Sequence, residues 1–401
     1  MTDAVHHNQE RLAQVLKDYD KSKPVVVTGV DGYLAGVLVQ QLLSHGFVVH
    51  GTHIQTNESN LNYLRSLPQA KHNLKLFRAN LLDEGSFDEA FRGCEVVFHT
   101  ASPFLLQHGL DVERQLVQPA VEGTRNVLQT CNRTPTIRRV VLTSSVGAIF
   151  ADAADCSDSP VDETTWNRTS TLIHQPYFYS KTLAEQEAWI IAGGQTQWSL
   201  VVINPAMILG PGLQYFPNSE SFKTIYKCGS GHWLTWFGSP TFAMPAVDIR
   251  DVVAAHMIAG FDMAVTGRHI LCSANSSLPE FCQILSRLFP NYPIPRISAP
   301  IPIFALALVA PFLRQGIDRK AVWRNCNCRT QLDATKSIQG ALNIRYRPLE
   351  VSLRDMYQQM IEAGAVQPAL PPEVYGLSIV LVACLAIVSP LIQYYQWFRS
   401  S

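Results

Sequence analysis

Six residues near the start of the chain, Pro24 to Gly29 (PVVVTG), restrict the fold more than any other stretch. A short β-branched run between proline and glycine reads as a strand buried on both faces, because branched side chains pack well on a pleated surface. It runs into Thr28-Gly29-Val30-Asp31-Gly32-Tyr33-Leu34-Ala35 and then a helical pattern through Leu43, and Phe47 to Thr52 reads as a second strand. Strand, glycine turn, helix and strand in that order open a doubly wound nucleotide-binding fold. Gly29 makes the tight turn and Gly32 lets backbone approach a pyrophosphate at the helix N-terminus. Ala35 is the small residue that close helix–strand packing needs.

The alternation continues. Strand-like Leu74 to Ala79, Val96 to Thr100, Arg138 to Ser144 and Ser199 to Ile203 are separated by helical Ser86 to Phe91, Leu116 to Cys131 and Tyr177 to Ile191. Residues 24–204 therefore predict an α/β, Rossmann-type doubly wound parallel sheet. A helix from Asp248 to Ala259 and a strand from Gly267 to Cys272 return to it, which adds 246–273 to the same domain. Residues 205–245 are loose, with Gly, Pro and aromatics, and 274–366 hold short helical pieces between prolines; together they predict a smaller substrate lobe. Residues 1–23 form a polar N-terminal segment, too charged for a secretory signal.

The tail changes character after Pro371-Pro372. Val374 to Ile392 carries nineteen residues without a charge. At ~1.5 Å per residue this approaches the ~30 Å hydrocarbon core of a bilayer. Tyr394, Tyr395 and Trp397 follow as interfacial aromatics and Arg399 as the charge outside. A transmembrane helix over 374–394 is predicted, a single-pass C-terminal anchor with the catalytic domain in the cytosol, at the endoplasmic reticulum. Ile301 to Leu313 is apolar but too short to span. A formal net charge of zero and the lack of a long basic run leave no electrostatic footprint for nucleic acid. Nine cysteines without Cys-x-x-Cys spacing read as reduced thiols, and no metal site is predicted.

Ligands of open parallel sheets bind at the carboxyl ends of the strands. The glycine turn, His99-Thr100-Ala101-Ser102-Pro103 and Thr143-Ser144-Ser145 all fall on that edge. Tyr177 and Lys181 are four apart at the opening of a helix and share one face, whereas Tyr179 points elsewhere. An ammonium beside a phenol favours the phenolate, which lowers the tyrosine pKa and makes Tyr177 a usable general acid or base.

In this order the motifs resemble the extended short-chain dehydrogenase/reductase family, and within it the dihydroflavonol-reductase-like and 3β-hydroxysteroid-dehydrogenase-like members. Supporting stretches are Gly32-Tyr33-Leu34-Ala35, Asp162-Glu163-x-x-Trp166, Tyr177 to Trp189, Asn204-Pro205 to Gly210-Pro211, and Tyr346 to Met356; the likeness covers Pro24 to Ala363. It implies an NAD or NADP cofactor. Tyr177 would exchange a proton with the substrate oxygen, Ser145 would hydrogen-bond that oxygen, and Lys181 would lower the Tyr177 pKa and hold the nicotinamide ribose. Ser144 would be a satisfied strand-end hydroxyl. The implied cofactor positions are Gly29, Gly32, Tyr33, Leu34, His53, Asn80, Leu81, Thr100, Ala101, Ser102, Tyr177, Lys181 and Pro205.

Three departures stand out. Pro119-Ala120-Val121-Glu122 replaces the region where many relatives carry an Asn, so a fourth catalytic residue is missing. Asn80 stands where the family has Asp near the adenine. Ile54 stands where NADP users carry Arg, and no Lys or Arg follows before Arg65, which favours NAD over NADP. The expected activity interconverts a secondary alcohol and a ketone on a lipophilic, sterol- or terpenoid-like substrate, beside a membrane. Alternatives are a soluble-substrate ketone or aldehyde reductase of the dihydroflavonol-reductase type, a sugar-nucleotide epimerase, and a non-catalytic nucleotide-sensing scaffold. A homodimer is left open.

Overall fold

The computed structural model describes residues 2–102, 111–156, 159–230, 239, 241–298 and 319–369. The anticipated membrane helix at 374–394, the apolar run at 301–313 and Pro103 lie outside them. Among the described residues no helix is long and apolar enough to cross a membrane.

Among the described residues nine strands form: β1 Val25–Thr28, β2 Val49–His53, β3 Leu74–Arg78, β4 Val96–His99, β5 Arg139–Thr143, β6 Ser199–Pro205, β7 Met207–Leu209, β8 Ala246–Asp248 and β9 Gly267–Leu271. Seven make a parallel sheet in the order β3-β2-β1-β4-β5-β6-β9. The order reverses at β1, so the edge where β1 and β4 part company is the crevice in which such sheets take ligands. β7 and β8 pair separately.

The central strands β1, β4, β5 and β6 read as largely apolar runs because both faces are covered. Val25, Val27, Val96, Phe98, Val141, Val201 and Ile203 enter one core, while Val26, Val97, Val140, Leu142, Leu200 and Val202 enter the other. The longer helices are α1 Thr2–Leu16, α2 Tyr33–Ser44, α3 Gln118–Arg133, α4 Pro176–Gly193, α5 Glu220–Gly229, α6 Ile249–Phe261, α7 Leu278–Leu288 and α8 Leu349–Glu362. α2 and α6 cover the first face, and α3 and α4 pack on each other over the second.

The N-terminal segment has a structural role that polarity alone concealed. α1 buries Leu12 and Leu16, and its Asn8 amide donates to Asp251 Oδ1 at 3.2 Å and to the Arg345 carbonyl at 2.8 Å. Arg11 pairs with Asp262 at the end of α6. The second lobe has its own core of Phe222, Ile225, Phe281, Leu285, Leu353, Met356, Tyr357 and Met360. Each of these side chains contributes about 1.5–3 kcal/mol by leaving water, which supports a separate cluster around α5, α7 and α8.

Candidate active site

Thr28, last in β1, organises the crevice. Its Oγ1 accepts hydrogen bonds from the amides of Thr100 (3.1 Å) and Ala101 (3.0 Å) and lies 2.9 Å from His99 Nδ1. Two amides already donate to this oxygen, so its own proton goes to the histidine, which burial keeps neutral by pushing its pKa down to about 3, with Lys181 adding to the effect. The end of β1 is thereby stapled to the chain leaving β4. Gly29 follows at φ +71°, and a Cβ there would meet the Ala101 Cα at 3.0 Å, so only glycine passes.

Gly32 then caps α2 without a side-chain hydrogen bond, leaving the first-turn amides, those of Tyr33 and Leu34 among them, facing the crevice. Uncapped amides at a helix N-terminus suit a pyrophosphate. The Tyr33 hydroxyl donates to the Gly210 carbonyl at 2.5 Å, tying the turn to the second lobe.

The second group of residues comes from β5 and α4. α4 starts because Gln175 takes a left-handed conformation (φ 52°) and Pro176 supplies a pre-set first turn. Tyr177 and Lys181 share a face, as the spacing predicted. Lys181 Nζ donates to Ser102 Oγ at 3.1 Å and stands 5.8 Å from the centre of the Tyr177 ring. The two adjacent serines part. Ser144 is buried, its hydroxyl donating to Glu185 Oε2 at 2.6 Å, whereas Ser145 is half-buried and accepts from the Gly147 amide at 3.0 Å. Gly147 admits α4 closely, since a Cβ there would lie 2.7 Å from the Phe178 ring.

One expectation is corrected here. Tyr177 is not lowered toward neutrality by Lys181; burial raises its pKa above the ordinary phenol value. The ammonium lies over the ring and bonds to Ser102, so its field does not offset the loss of solvent. Lys181 itself is brought down to about 8 by burial, with Glu185 pulling the other way. Such a tyrosine is a phenol, a proton donor, at neutral pH.

The far end of the crevice is built differently. His53 ends β2 with Nδ1 buried and without a hydrogen-bond partner among the described residues, and burial lowers its pKa. Asn80 Oδ1 accepts from the Leu82 amide at 3.2 Å, and Leu81 packs on Gly123, where a Cβ would come within 2.9 Å. Pro205 ends β6, buried. Ile54 is 58% exposed, and Arg65 is turned to Glu58 at 2.8 Å. The Asp31 carboxylate, inside the glycine turn, accepts from Gln55 Nε2 at 2.7 Å.

The glycine cradle, the uncapped helix end and the orphaned His53 nitrogen fit a dinucleotide lying from Ser102 toward Asn80. Gly29, Asn80, Leu81, Thr100, Ala101, Ser102 and Ser145 follow strand ends, Tyr33, Leu34 and Tyr177 open helices, and all are part-exposed. Sequence reasoning missed Thr28 as a staple and Glu185 with Arg268 as buried partners of the site. The available signal was spacing: Glu185 is four residues beyond Lys181, as Lys181 is beyond Tyr177.

A doubly wound sheet with this crevice defines a dinucleotide-dependent oxidoreductase. Residues 25–270 match the NAD dependent epimerase/dehydratase family, and the chain belongs to that family. It is 32% identical over 347 residues to cinnamoyl-CoA reductase CAD2 of Medicago truncatula, covering 84% of this chain and 95% of that enzyme. It is 33% identical over 359 residues to tetraketide alpha-pyrone reductase 1 of Arabidopsis thaliana, covering 88% of this chain and all of that one. Among solved structures, Gre2 of Candida albicans in complex with NADPH superposes with a TM-score of 0.68 at 28% identity, covering 85% of this chain and 99% of that chain.

Proposed function

We propose that this chain reduces a carbonyl group on a phenylpropanoid- or polyketide-like substrate, with Tyr177 as proton donor. The observation that carries this is the part-exposed Tyr177 phenol, its ring 5.8 Å from the Lys181 ammonium that bonds Ser102, with burial keeping it protonated. The likeness to cinnamoyl-CoA and tetraketide alpha-pyrone reductases over nearly their whole length supports the substrate class. That support moves the reading away from the sterol- or terpenoid-like substrate expected from the sequence and toward the dihydroflavonol-reductase-type alternative.

When bound, NAD(P)H supplies the hydride. Charge then grows on the carbonyl oxygen, and the chain's own groups answer it. Ser145 Oγ accepts from the Gly147 amide, which leaves its proton to donate to that oxygen. Tyr177 passes its proton to the same atom. Lys181, a cation below about pH 8, would hold the nicotinamide ribose and steady the phenolate that remains. His53, Asn80 and Leu81 would line the adenosine.

NADH is the favoured nucleotide. Ile54 is exposed where a cation would pair a 2′-phosphate, Arg65 is committed to Glu58, and the Asp31 carboxylate in the turn adds a like charge. The NADPH-bound Gre2 likeness points the other way, and binding of each nucleotide to the full chain decides between them. Membrane anchoring by residues 374–394, at the endoplasmic reticulum, is part of the proposal; co-sedimentation of the full chain with vesicles checks it. The substrate class is tested by following nucleotide oxidation with a cinnamoyl thioester, an α-pyrone ketone and a sterol ketone. Turnover of either of the first two is expected, and turnover of the sterol alone would reverse the reading.

A further inference from the structure

Glu185 is a fully buried carboxylate that the proton-transfer scheme above does not use. It lies one helical turn beyond Lys181 on α4, and its contacts reach the end of β5 and side chains on β6 and β9. Oε2 accepts from Ser144 Oγ at 2.6 Å and from Asn204 Nδ2 at 2.7 Å, and the same Asn204 amide group lies 3.1 Å from the Ser145 carbonyl. Oε1 accepts from Arg268 Nε at 2.5 Å and from Trp189 Nε1 at 3.4 Å.

Arg268, on β9, is itself fixed. Its Cζ stacks 3.8 Å from the centre of the Trp166 ring, and it donates to the carbonyls of Glu163 (2.9 Å), Thr165 (2.6 Å) and Ala148 (3.2 Å). Ala148 belongs to the turn that Ser145 opens. The two sequence stretches left without a role, Asp162-Glu163-x-x-Trp166 and the part of Tyr177 to Trp189 beyond Lys181, thus meet at one buried ion pair.

Buried ion pairs are poor sources of net stability, because desolvation offsets most of the attraction. A cluster of this cost at the back of the site calls for a further reason. We propose that Glu185 is a positioning residue for the reaction: it fixes the Ser145 strand end through Ser144 and Asn204, and, one helical turn beyond Lys181, it is the carboxylate placed to act as that lysine's counter-charge. This rests on the nucleotide-site reading above.

Among the described residues the groups facing Lys181 are Tyr177 and Glu185 on its own helix and His99 on β4, which burial keeps neutral. Arg268 faces Glu185 from β9, and Arg125 of α3 faces Glu187 further along α4. Glu185 is therefore the one of these groups that favours the charged lysine. Burial has brought Lys181 to about 8, so the counter-charge sets whether it is protonated at working pH.

The test is NADH binding to the full chain, read by fluorescence across pH, for wild type, Glu185→Gln and Ser144→Ala, with circular dichroism as the folding check. Wild-type affinity is expected to fall with a midpoint near 8. Glu185→Gln, which removes the charge but keeps the shape, moves that midpoint down by about one pH unit. Ser144→Ala, which removes one hydrogen bond and no charge, leaves it in place. An equal midpoint in wild type and Glu185→Gln overturns the inference while the nucleotide site stands. Wild type that binds no NADH overturns both. Should Glu185→Gln not fold, Glu185→Asp, which keeps the charge but draws it back by one methylene, is the second variant: a midpoint below that of wild type supports the inference, and an unchanged one overturns it.

Discussion

The two ends of the crevice are built on opposite plans. At the β4–β5 end, Ser102, Ser145, Tyr177 and Lys181 stand on a buried polar framework in which Thr28, Glu185, Asn204 and Arg268 are each bonded to several partners. At the β2–β3 end, Ile54 is exposed, His53 has an orphaned nitrogen, and the Asp31–Gln55–Asn60 chain of hydrogen bonds lies part-exposed. The first end must hold reacting atoms to a fraction of an ångström, and buried side chains bonded to several partners do that, even though Asn204 Oδ1 has no partner among the described residues. The second end only has to recognise an adenosine, and exposed positions there can change without disturbing the sheet. Chemistry is fixed at one end and cofactor choice is adjustable at the other.

The contrast can be broken most forcefully at Tyr177. Replacing it by Phe is expected to cut kcat by about 10²–10⁴, the usual worth of a positioned proton donor, with NADH binding retained. Lys181→Met should lose nucleotide affinity as well as turnover, by about tenfold or more in binding, because the lost hydrogen bonds are charge-assisted. Isothermal titration of both variants separates the two roles. Weak binding in Tyr177→Phe, or wild-type binding in Lys181→Met, would reverse the assignment.

At the other end the effects are smaller and change selectivity rather than rate. Ile54→Arg should shift preference toward NADPH by about tenfold, the value of one exposed guanidinium–phosphate contact. Equal dissociation constants before and after would place the 2′ position elsewhere. The smallest effect is that of pH. Lys181 carries its proton below about 8 and loses it above, so NADH affinity should decline as pH rises through that value. Tyr177, raised by burial, stays a phenol over the same range and adds no step. A flat profile would mean that Lys181 does not hold the ribose.

The sheet was legible because a strand covered on both faces leaves a short run dominated by apolar and β-branched residues, as at Val25–Thr28 and Val140–Thr143. The glycine turn and the Tyr177–Lys181 pair were legible because one needs a special backbone and the other a fixed spacing. What escaped depends on contacts distant in sequence. Nothing local tells that Asn8 would pair with Asp251, or that Arg268 would reach Glu185. Nor could spacing foresee the Tyr177 pKa, since the direction depends on whether burial or the neighbouring charge prevails, and burial did. The choice between Ser144 and Ser145 followed from the resemblance, and the structure gives its physical content: one hydroxyl is spent on Glu185, the other is part-exposed toward the crevice edge.

The central claim is that Tyr177 donates the proton in a nucleotide-dependent carbonyl reduction. It is tested most directly by single-turnover oxidation of pre-bound NADH or NADPH, in the full chain and in Tyr177→Phe, on mixing with a cinnamoyl thioester or an α-pyrone ketone. The account predicts rapid oxidation in the wild type and, in the variant, bound nucleotide that persists. Oxidation at the wild-type rate in Tyr177→Phe would contradict it and move the proton donor to another residue.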